Sequence, residues 1–189
     1  MKLKVTFCAL LIMMVFLAGC NKKDDTNNNT SSGNNTSGND TPDTVTTASI
    51  VDNGDAFIKA ISNSGTWIIA ITKDLTLDTD LLLEGEFKNG KKDDQGNDII
   101  QRKIALYAQD ESRNITARYT LTAPKLTVTS PEASIQHGTF KGDLYVSVAN
   151  FQLIDATVDG NVYFTTDEAK NTFSMDETSK VTGTQELKK

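Results

Sequence analysis

The chain has 189 residues, of which 38% are hydrophobic and 23% charged, and its formal net charge at pH 7 is −6. This length predicts one domain of ordinary size with attached segments. No cluster of Lys and Arg is available to neutralise phosphates, so the acidic balance argues against nucleic acid as a partner. One His and two Cys exclude a zinc site rich in these ligands and a disulfide-stabilised scaffold.

The first twenty residues have the pattern of an export signal. Lys2 and Lys4 precede an apolar run from Val5 to Leu17 that is short for a transmembrane helix. The run ends in Leu17-Ala18-Gly19-Cys20, which resembles the lipobox of bacterial lipoproteins at all four positions. The resemblance implies cleavage before Cys20, a diacylglycerol on its sulfur and an acyl chain such as palmitate on the new N-terminus. The alternative is a plain secretory signal or an uncleaved anchor, with Cys20 as a free thiol.

The expected acyl chains bind a lipid bilayer, because two or more of them make an attachment stable. We therefore expect an extracytoplasmic protein anchored to a bacterial membrane. Residues 21–47 are rich in Asn, Thr, Ser and Asp, and Val45 is their only aliphatic residue. Such a segment cannot bury enough apolar surface to offset the entropy of ordering. The predicted organisation is a signal peptide over 1–19, lipidated Cys20 and a disordered tether over 20–47, and one domain over 48–189.

The domain begins with the only helix that the sequence predicts, from Asn53 to Ser62. Its apolar residues have helical spacing, Asn53 or Asp55 can cap its N-terminus, and Gly65 is expected to end it. The remainder is predicted to form short strands, because apolar residues alternate along it. These alternating residues are Trp67, Ile69 and Ile71; Leu75 and Leu77; Leu81 and Leu83; and Ile104 and Leu106. The hydrophilic stretch from Lys88 to Asp98 is predicted to be a loop.

An internal repeat determines the fold that we predict. The segments Lys125–Gly142, Asp143–Gly160 and Asn161–Gly183 share one frame, and the third has five extra residues. Four apolar positions align across the three segments. They are Leu126, Leu144 and Val162; Val128, Val146 and Phe164; Ile135, Leu153 and Met175; and Phe140, Val158 and Val181. Each segment ends in Gly, which we expect to supply a positive φ at a tight corner.

This pattern predicts an all-β fold, a parallel β-helix or solenoid of about five coils in which stacked strands create a continuous apolar interior. An antiparallel sandwich is the alternative. A left-handed hexapeptide helix needs an aliphatic residue every six positions, but Glu132 and Asn150 stand six residues after Leu126 and Leu144. We therefore expect the right-handed form, which is also the usual sense of parallel crossovers. The helix would cap the N-terminal end and limit head-to-tail stacking.

Two short steps carry a resemblance to known β-helices. Phe140-Lys141-Gly142-Asp143-Leu144 and Val158-Asp159-Gly160-Asn161-Val162 resemble the repeat step of bactofilins and of the broader pectate-lyase-like folds. The resemblance covers about a third of the chain and implies the fold. Bactofilins are cytoplasmic polymers and pectate-lyase-like folds often host polysaccharide enzymes, so a self-assembling scaffold and a polysaccharide-active enzyme are the alternative functions.

The sequence offers little evidence of catalysis. Arg102, Arg113 and Arg118 have no Asp cluster aligned with them, and Asp155 and Asp159 align with His137 and Lys141 rather than with further carboxylates. His137 is interpreted as a solvent-facing corner, since no motif places a nucleophile beside it. We therefore predict no catalytic residue.

The segment from Asp93 to Asp98 is rich in oxygen ligands but lacks the ligand spacing of a calcium loop. We interpret it as a solvated turn. We accordingly expect neither a metal site nor a cofactor.

Two columns of outward-facing residues form the candidate ligand face. If Leu126 and its equivalents point inward, the next residue in each repeat points outward, followed two positions later by a second outward residue. Adjacent tyrosines could stack on sugar rings, although Tyr and Thr also pair well on ordinary exposed strands. The first column is Thr127, Tyr145 and Tyr163, and the second is Thr129, Ser147 and Thr165. The function expected is a non-catalytic binding or structural module of the cell envelope, with a glycan or an envelope protein as its partner.

Overall fold

A computed structural model describes residues 48–188. The predicted signal peptide, Cys20 and the tether lie outside the described residues. The helices are α1 (Gly54–Ile61) and α2 (Asp167–Thr172). The first nine strands are β1 (Ala48–Val51), β2 (Ile68–Ile71), β3 (Leu75–Thr76), β4 (Leu81–Leu83), β5 (Lys88–Lys92), β6 (Asp98–Ile100), β7 (Arg102–Ala105), β8 (Tyr107–Gln109) and β9 (Ile115–Arg118). The others are β10 (Thr120–Val128), β11 (Ala133–Gln136), β12 (Thr139–Val146), β13 (Gln152–Ile154), β14 (Thr157–Asp159), β15 (Val162–Phe164), β16 (Ser174–Met175), β17 (Lys180–Val181) and β18 (Gln185–Leu187).

Residues 48–188 fold mostly into two parallel sheets. The first has the strand order β1-β2-β7-β11-β13-β16. In the second, β3 and β4 both pair with β10, which pairs with β12; β12 then pairs with β14 and β15, and these pair with β17 and β18. Every strand pair in both sheets is parallel. Apart from β1 and β2, neighbouring strands are not consecutive in sequence, because the chain returns to each sheet after visiting the other. The all-β expectation is therefore confirmed at the level of parallel sheets.

The pairing register matches the predicted repeat. Leu126 pairs with Leu144, and Leu144 pairs with Val162. The other aligned positions also pair: Val128, Val146 and Phe164; Ile135, Leu153 and Met175; and Phe140, Val158 and Val181. The apolar side chains of the first two segments are fully buried, whereas Met175 in the third is 37% exposed. The register is fixed because a slip of one residue would move the whole buried set to the solvent face.

The glycines that end the three repeat segments do not all have the positive φ that we expected. Gly142 has a positive φ of 141°, whereas Gly160 and Gly183 do not share this conformation. A Cβ added to Gly160 would collide with the carbonyl oxygen of Gly142, and one added to Gly183 would lie 2.6 Å from that of Gly160. The neighbouring backbone approaches too closely for a side chain, so close approach explains these two glycines.

The residues with positive φ are instead mostly not glycines. Glu132 and Asn150 precede β11 and β13, and His137 and Asp155 follow these two strands. A residue in the left-handed conformation therefore stands on each side of both strands. The two flanking residues are five positions apart in each repeat. Asn and Asp tolerate this conformation better than most residues, but Glu does not.

Helix α1 forms where the sequence predicts it. Asn53 is the N-cap, and its side chain accepts a hydrogen bond from the Ala56 amide at 2.9 Å. The helix ends at Ile61 with Ser62 as its C-cap, in agreement with the predicted range, and Gly65 follows three residues after the C-cap. Its apolar face, which includes buried Phe57 and Ile61, contacts β1, β2 and β4.

Helix α2 was not predicted from the sequence. It lies in the longer third repeat and begins after Thr166, whose hydroxyl accepts a hydrogen bond from the Ala169 amide at 3.0 Å. The prediction that α1 is the only helix was therefore wrong. Neither helix of residues 48–188 has the length and apolar character needed to cross a membrane.

Two antiparallel hairpins depart from the parallel sheets. Strands β5 and β6 form the first, so the loop predicted from Lys88 to Asp98 is instead a hairpin. Strands β8 and β9 form the second. The turns are alike: the amides of Asn97 and Asn114 each donate at 2.8 Å to the carboxylate of the Asp four residues before. The strands of the first hairpin could not be predicted from the sequence because most of their residues are exposed and polar.

The buried guanidinium of Arg102 joins α1 to the first sheet. Its Nη2 donates to the carbonyl oxygens of Ala60 at 2.8 Å and Ser62 at 3.0 Å, at the end of α1. The guanidinium carbon lies 3.7 Å from the centre of the Phe87 ring. Burial lowers the pKa of Arg102 from 12.5 to about 10. Arg102 thus satisfies carbonyls that a helix end leaves without intrahelical partners.

Candidate functional site

The first predicted column forms one line across the second sheet. Thr127 pairs with Tyr145, and Tyr145 pairs with Tyr163. The line continues to Leu82 on one side, which pairs with Thr127, and to Glu186 on the other, which pairs with Tyr163. Leu82 is 44% exposed, and the two tyrosines are half-buried. We call these five residues the tyrosine face.

The two tyrosine rings contact each other. Their centres are 4.9 Å apart with an angle of 45° between the ring planes, as parallel strands one spacing apart permit. This distance lies in the range in which aromatic pairs attract each other. Tyr145 and Tyr163 therefore form a continuous aromatic surface rather than two separate side chains.

Two lysines border this aromatic surface. The Lys188 ammonium lies 4.3 Å from the centre of the Tyr163 ring and 5.4 Å from that of Tyr145, and it donates to the Tyr145 hydroxyl at 3.1 Å. The Lys125 ammonium lies 5.7 Å from the Tyr145 ring centre and forms an ion pair with Asp80 at 2.6 Å. The hydrogen bond with Tyr145 raises the pKa of Lys188 above its ordinary value, so its charge is retained at neutral pH.

The residues of the second predicted column lie just beyond the strand ends and continue the backbone hydrogen bonding of the second sheet. The amides of Thr129, Ser147 and Thr165 donate to carbonyl oxygens of the neighbouring strands. The Thr129 hydroxyl also donates to the Leu83 carbonyl at 3.1 Å, and the Thr165 hydroxyl to that of Val146 at 3.5 Å. Two of the three hydroxyls expected to bind a ligand thus satisfy backbone acceptors at the edge of the tyrosine face.

A second polar cluster forms where the sequence predicted only a solvent-facing corner. His137 Nδ1 lies 3.0 Å from Asp155 Oδ2, and the Arg118 guanidinium donates to the same oxygen at 2.6 Å. The His137 ring packs edge-on against Tyr107, with ring centres 4.5 Å apart. Hydrogen bonds from His137 and then from Arg118 lower the pKa of Asp155 below its ordinary value.

This cluster corrects one sequence interpretation. His137 is only 24% exposed and makes specific contacts, whereas Arg118 pairs with a single Asp rather than with a cluster of them. The sequence carried one signal of the contact between His137 and Asp155, namely that the two residues align in the repeat. Arg118 lies on a hairpin outside the repeat, so no spacing in the sequence indicated its part in the cluster.

The remaining candidate acids are engaged in local contacts. Asp159 lies 3.9 Å from the Lys141 ammonium and accepts a hydrogen bond from Thr182 at 3.1 Å, whereas Asp155 belongs to the other cluster. The structure therefore does not bring these two carboxylates together. Asp93 accepts hydrogen bonds from the amides of Gln95 and Asn97 and from the Asn97 side chain. Among residues 48–188, no group of three or more His, Cys, Asp or Glu side chains is arranged to hold a metal ion.

Comparison with protein-family models, with curated proteins and with solved structures finds no match for this chain. Its function must therefore be argued from its own residues.

Proposed function

We propose that this protein is a non-catalytic lipoprotein of the bacterial cell envelope, which binds polysaccharide through the tyrosine face. The lipobox-like Leu17-Ala18-Gly19-Cys20 supports the membrane anchor. Acyl chains on Cys20 would hold the protein at the bilayer, and the polar segment 21–47 would separate the domain from it. The proposal thus places the protein outside the cytoplasm, with a bilayer and a glycan as its partners.

We further propose that the domain is a right-handed parallel β-helix of about five coils, with α1 as its N-terminal cap. Three features support this interpretation: the parallel order of both sheets, the registered repeat and the glycines that adjoin a neighbouring backbone. The failure of the six-residue aliphatic pattern favours the right-handed form. In this fold each outward column is regular along the stack, so it offers equally spaced contacts to an extended polymer.

The observation that carries the proposed function is the contact between Tyr145 and Tyr163. Aromatic rings bind the apolar faces of sugar rings, and their hydroxyls add hydrogen bonds. The two rings are half-buried on an open strand surface, so their outer portions are accessible while their positions are held by the sheet. Leu82 and Thr127 extend the same line and would allow more than one sugar to make contact.

A glycan array tests the proposed ligand. The full chain, purified in detergent, is incubated with cell-wall and plant polysaccharides beside the double variant Tyr145→Ala/Tyr163→Ala. We expect glycan binding that the double variant loses, since truncation removes the whole aromatic surface. The matched control is Tyr119→Ala, which alters a half-buried tyrosine outside the tyrosine face. Binding that survives in the double variant, or no binding by folded protein, would contradict the proposal.

Mass spectrometry of the chain isolated from bacterial membranes tests the anchor. We expect a mature N-terminus at Cys20 with the added mass of its acyl chains. The Cys20→Ser variant is expected to lack these chains and to leave the membrane fraction. An unmodified Cys20 thiol in the membrane-bound protein would show that the lipobox interpretation is wrong.

One observation favours a second candidate function, self-assembly into a scaffold. Within residues 48–188, strand β1 ends the first sheet, and its Ile50 side chain is 73% exposed although the strand contains no charged residue and no Pro. An edge strand presents unpaired backbone N–H and C=O groups, which are a template for pairing with another chain, and β1 lacks the charges and the Pro that would block such pairing. A second copy could extend the sheet by pairing β1 with β1. Sedimentation should then show dimers that Ile50→Lys dissociates, and a monomer at all concentrations would contradict this candidate.

A further inference from the structure

An apolar groove crosses the outer surface of the first sheet beside its edge strand β1. One wall of this groove is β8 (Tyr107–Gln109), which follows β7 and leaves the sheet. The groove has a volume of about 340 Å³, and most of its lining is apolar, as in sites that bind small molecules. Its floor consists of two rows of outward-facing residues that the strand register aligns. The rows are Ala48, Ile68 and Lys103; and Ile50, Ala70 and Ala105.

The floor leaves room for an apolar chain. Ala70 and Ala105 follow Ile50 along one row, and neither has a long side chain to fill the space above it. Ile50 is 73% exposed, and Ile68 is half-buried. Covering such side chains contributes about 25 cal/mol for each Å² of apolar surface removed from water. The row crosses three strands spaced at about 4.8 Å, so it accommodates a chain of about 10 Å.

Lys103 places one positive charge at the end of this floor. Among the described residues that line the groove, Lys103 alone is charged. Its ammonium lies 5.9 Å from the ring centres of Trp67 and Tyr107, and within residues 48–188 no carboxylate is within ion-pair distance of it. Asp110, directly after β8, is held in the turn of its hairpin by hydrogen bonds from Asn114. A ligand anion at Lys103 would therefore gain a charge-assisted hydrogen bond.

We propose that this groove binds a carboxylate with an unbranched apolar chain, such as a fatty acid. The chain lies along the row from Ile50 to Ala105, and the carboxylate bonds to Lys103. A second copy that pairs through β1 fits the groove less well, because β1 contains no charged residue and would leave Lys103 without an anionic partner. The groove lies on the first sheet and the tyrosine face on the second, so this inference goes beyond the proposed function and does not depend on it.

The single tryptophan of the chain provides the measurement. Trp67 lies beside Lys103, so a ligand bound there is expected to change its fluorescence. The full chain in lipid nanodiscs is titrated with decanoate, and empty nanodiscs correct for partition into the bilayer. Decanol supplies the chain without the charge, propionate the charge without the chain, and decyltrimethylammonium the opposite charge. We expect decanoate to bind roughly tenfold more tightly than each of the others, and calorimetry measures the same affinities independently of Trp67.

Two pairs of variants locate the site. Lys103→Gln is expected to weaken decanoate binding by roughly tenfold, and Lys103→Arg to retain most of it. Lys180→Gln, in an exposed lysine of the second sheet, is the matched control and should leave the affinity unchanged. Ile50→Ser should weaken binding by roughly threefold, because it removes apolar surface from the floor. Its matched control is Ile58→Ser, in the exposed isoleucine of α1, which should have no effect.

The outcomes decide between the possible occupants of the groove. Equal affinities for decanol and decanoate, or a decanoate affinity that Lys103→Gln leaves unchanged, would overturn the inference. Failure of decanoate to bind the folded chain would also overturn it; if that chain sediments as a dimer, a second copy covers Ile50 instead. Decanoate binding that depends on Lys103 and Ile50, weakens with added salt and persists in Tyr145→Ala/Tyr163→Ala would support the inference. The last variant also separates this site from the tyrosine face, whose glycan binding is tested on its own.

Discussion

Arg113 occupies the same turn position in the second hairpin that Gly96 occupies in the first, and both have positive φ angles, 67° and 86°. The two turns are otherwise closely alike. Asp93 with Asn97, and Asp110 with Asn114, form amide-to-carboxylate hydrogen bonds of 2.8 Å and side-chain hydrogen bonds of 3.0 Å. The left-handed conformation costs a residue with a Cβ more than it costs Gly. Arg113 is therefore strained where Gly96 is not.

Replacing Arg113 with Gly should stabilise the protein. We expect the free energy of unfolding to rise by about 0.5–1 kcal/mol, because relief of the left-handed strain exceeds the added freedom of Gly in the unfolded chain. Urea unfolding measures the change. Arg113→Ala is the matched control, since it removes the same side chain and retains the Cβ. An equal gain in both variants would mean that the side chain, and not the backbone, is the source of strain.

Replacing Gly160 with Ala should destabilise the sheet strongly. The new Cβ would collide with the backbone carbonyl oxygen of Gly142, which belongs to the neighbouring strand β12 and cannot withdraw cheaply. We expect a loss of about 3 kcal/mol, typical of severe overpacking.

Gly96→Ala separates close approach from backbone conformation. Gly96 has a positive φ but nothing within 4 Å of its added Cβ, so we expect a loss of only about 1 kcal/mol from strain. Chemical denaturation of both variants makes the comparison. A smaller loss for Gly160→Ala than for Gly96→Ala would contradict the close-approach explanation.

Asp155 should make stability depend on pH in the acidic range. Its pKa is lowered from the ordinary value of 3.8 by hydrogen bonds from His137 and then Arg118, so the ionised form is favoured in the folded protein. Its contribution is therefore fully present above pH 3.8 and is lost as the pH falls through the lower, folded pKa.

Asp155→Asn tests this contribution, because Asn also tolerates the positive φ of 49° at this position. At pH 7 we expect the variant to be less stable by about 1 kcal/mol, a modest value because the groups are partly exposed. The difference from the unaltered protein should shrink as the pH falls below 3.8. Thermal unfolding at several pH values measures it, and a difference independent of pH would contradict the assignment.

Replacing Arg102 with Met should reduce the stability of the protein less than replacing it with Lys. Met loses the two hydrogen bonds to the end of α1, whereas Lys replaces the planar guanidinium with a buried charge that is more strongly hydrated in water. Met fills a similar volume and removes the desolvation cost that lowers the Arg102 pKa to about 10. We expect losses of about 1 kcal/mol for Arg102→Met and about 3 kcal/mol for Arg102→Lys. Denaturant midpoints measure both, and the reverse order would show that charge retention matters more than desolvation.

The repeat itself was predictable from the sequence. The aligned positions of Leu126, Leu144 and Val162 are confirmed as pairing partners, because alternation between buried and exposed residues permits one register only. The same register brought Tyr145 beside Tyr163, so the first column of the candidate face followed from counting residues. The sequence also offered Asn53 or Asp55 as the N-cap of α1, and the structure selects Asn53, whose side chain accepts a hydrogen bond from the Ala56 amide.

Other features depended on contacts that no local pattern encodes. Arg118 reaches Asp155 across 37 residues because a hairpin outside the repeat carries it there, and Lys188 lies over Tyr145 because the last strand returns to the sheet. The polar hairpin from Lys88 to Ile100 was hidden because its pairing is exposed and buries little apolar surface. The sequence by itself determined which residues share a column, since a strand period of two and a repeat of fixed length are local properties. Only the tertiary structure decided which charges surround that column. Long charged side chains from segments distant in sequence meet only where the folded backbone brings their Cα atoms close together.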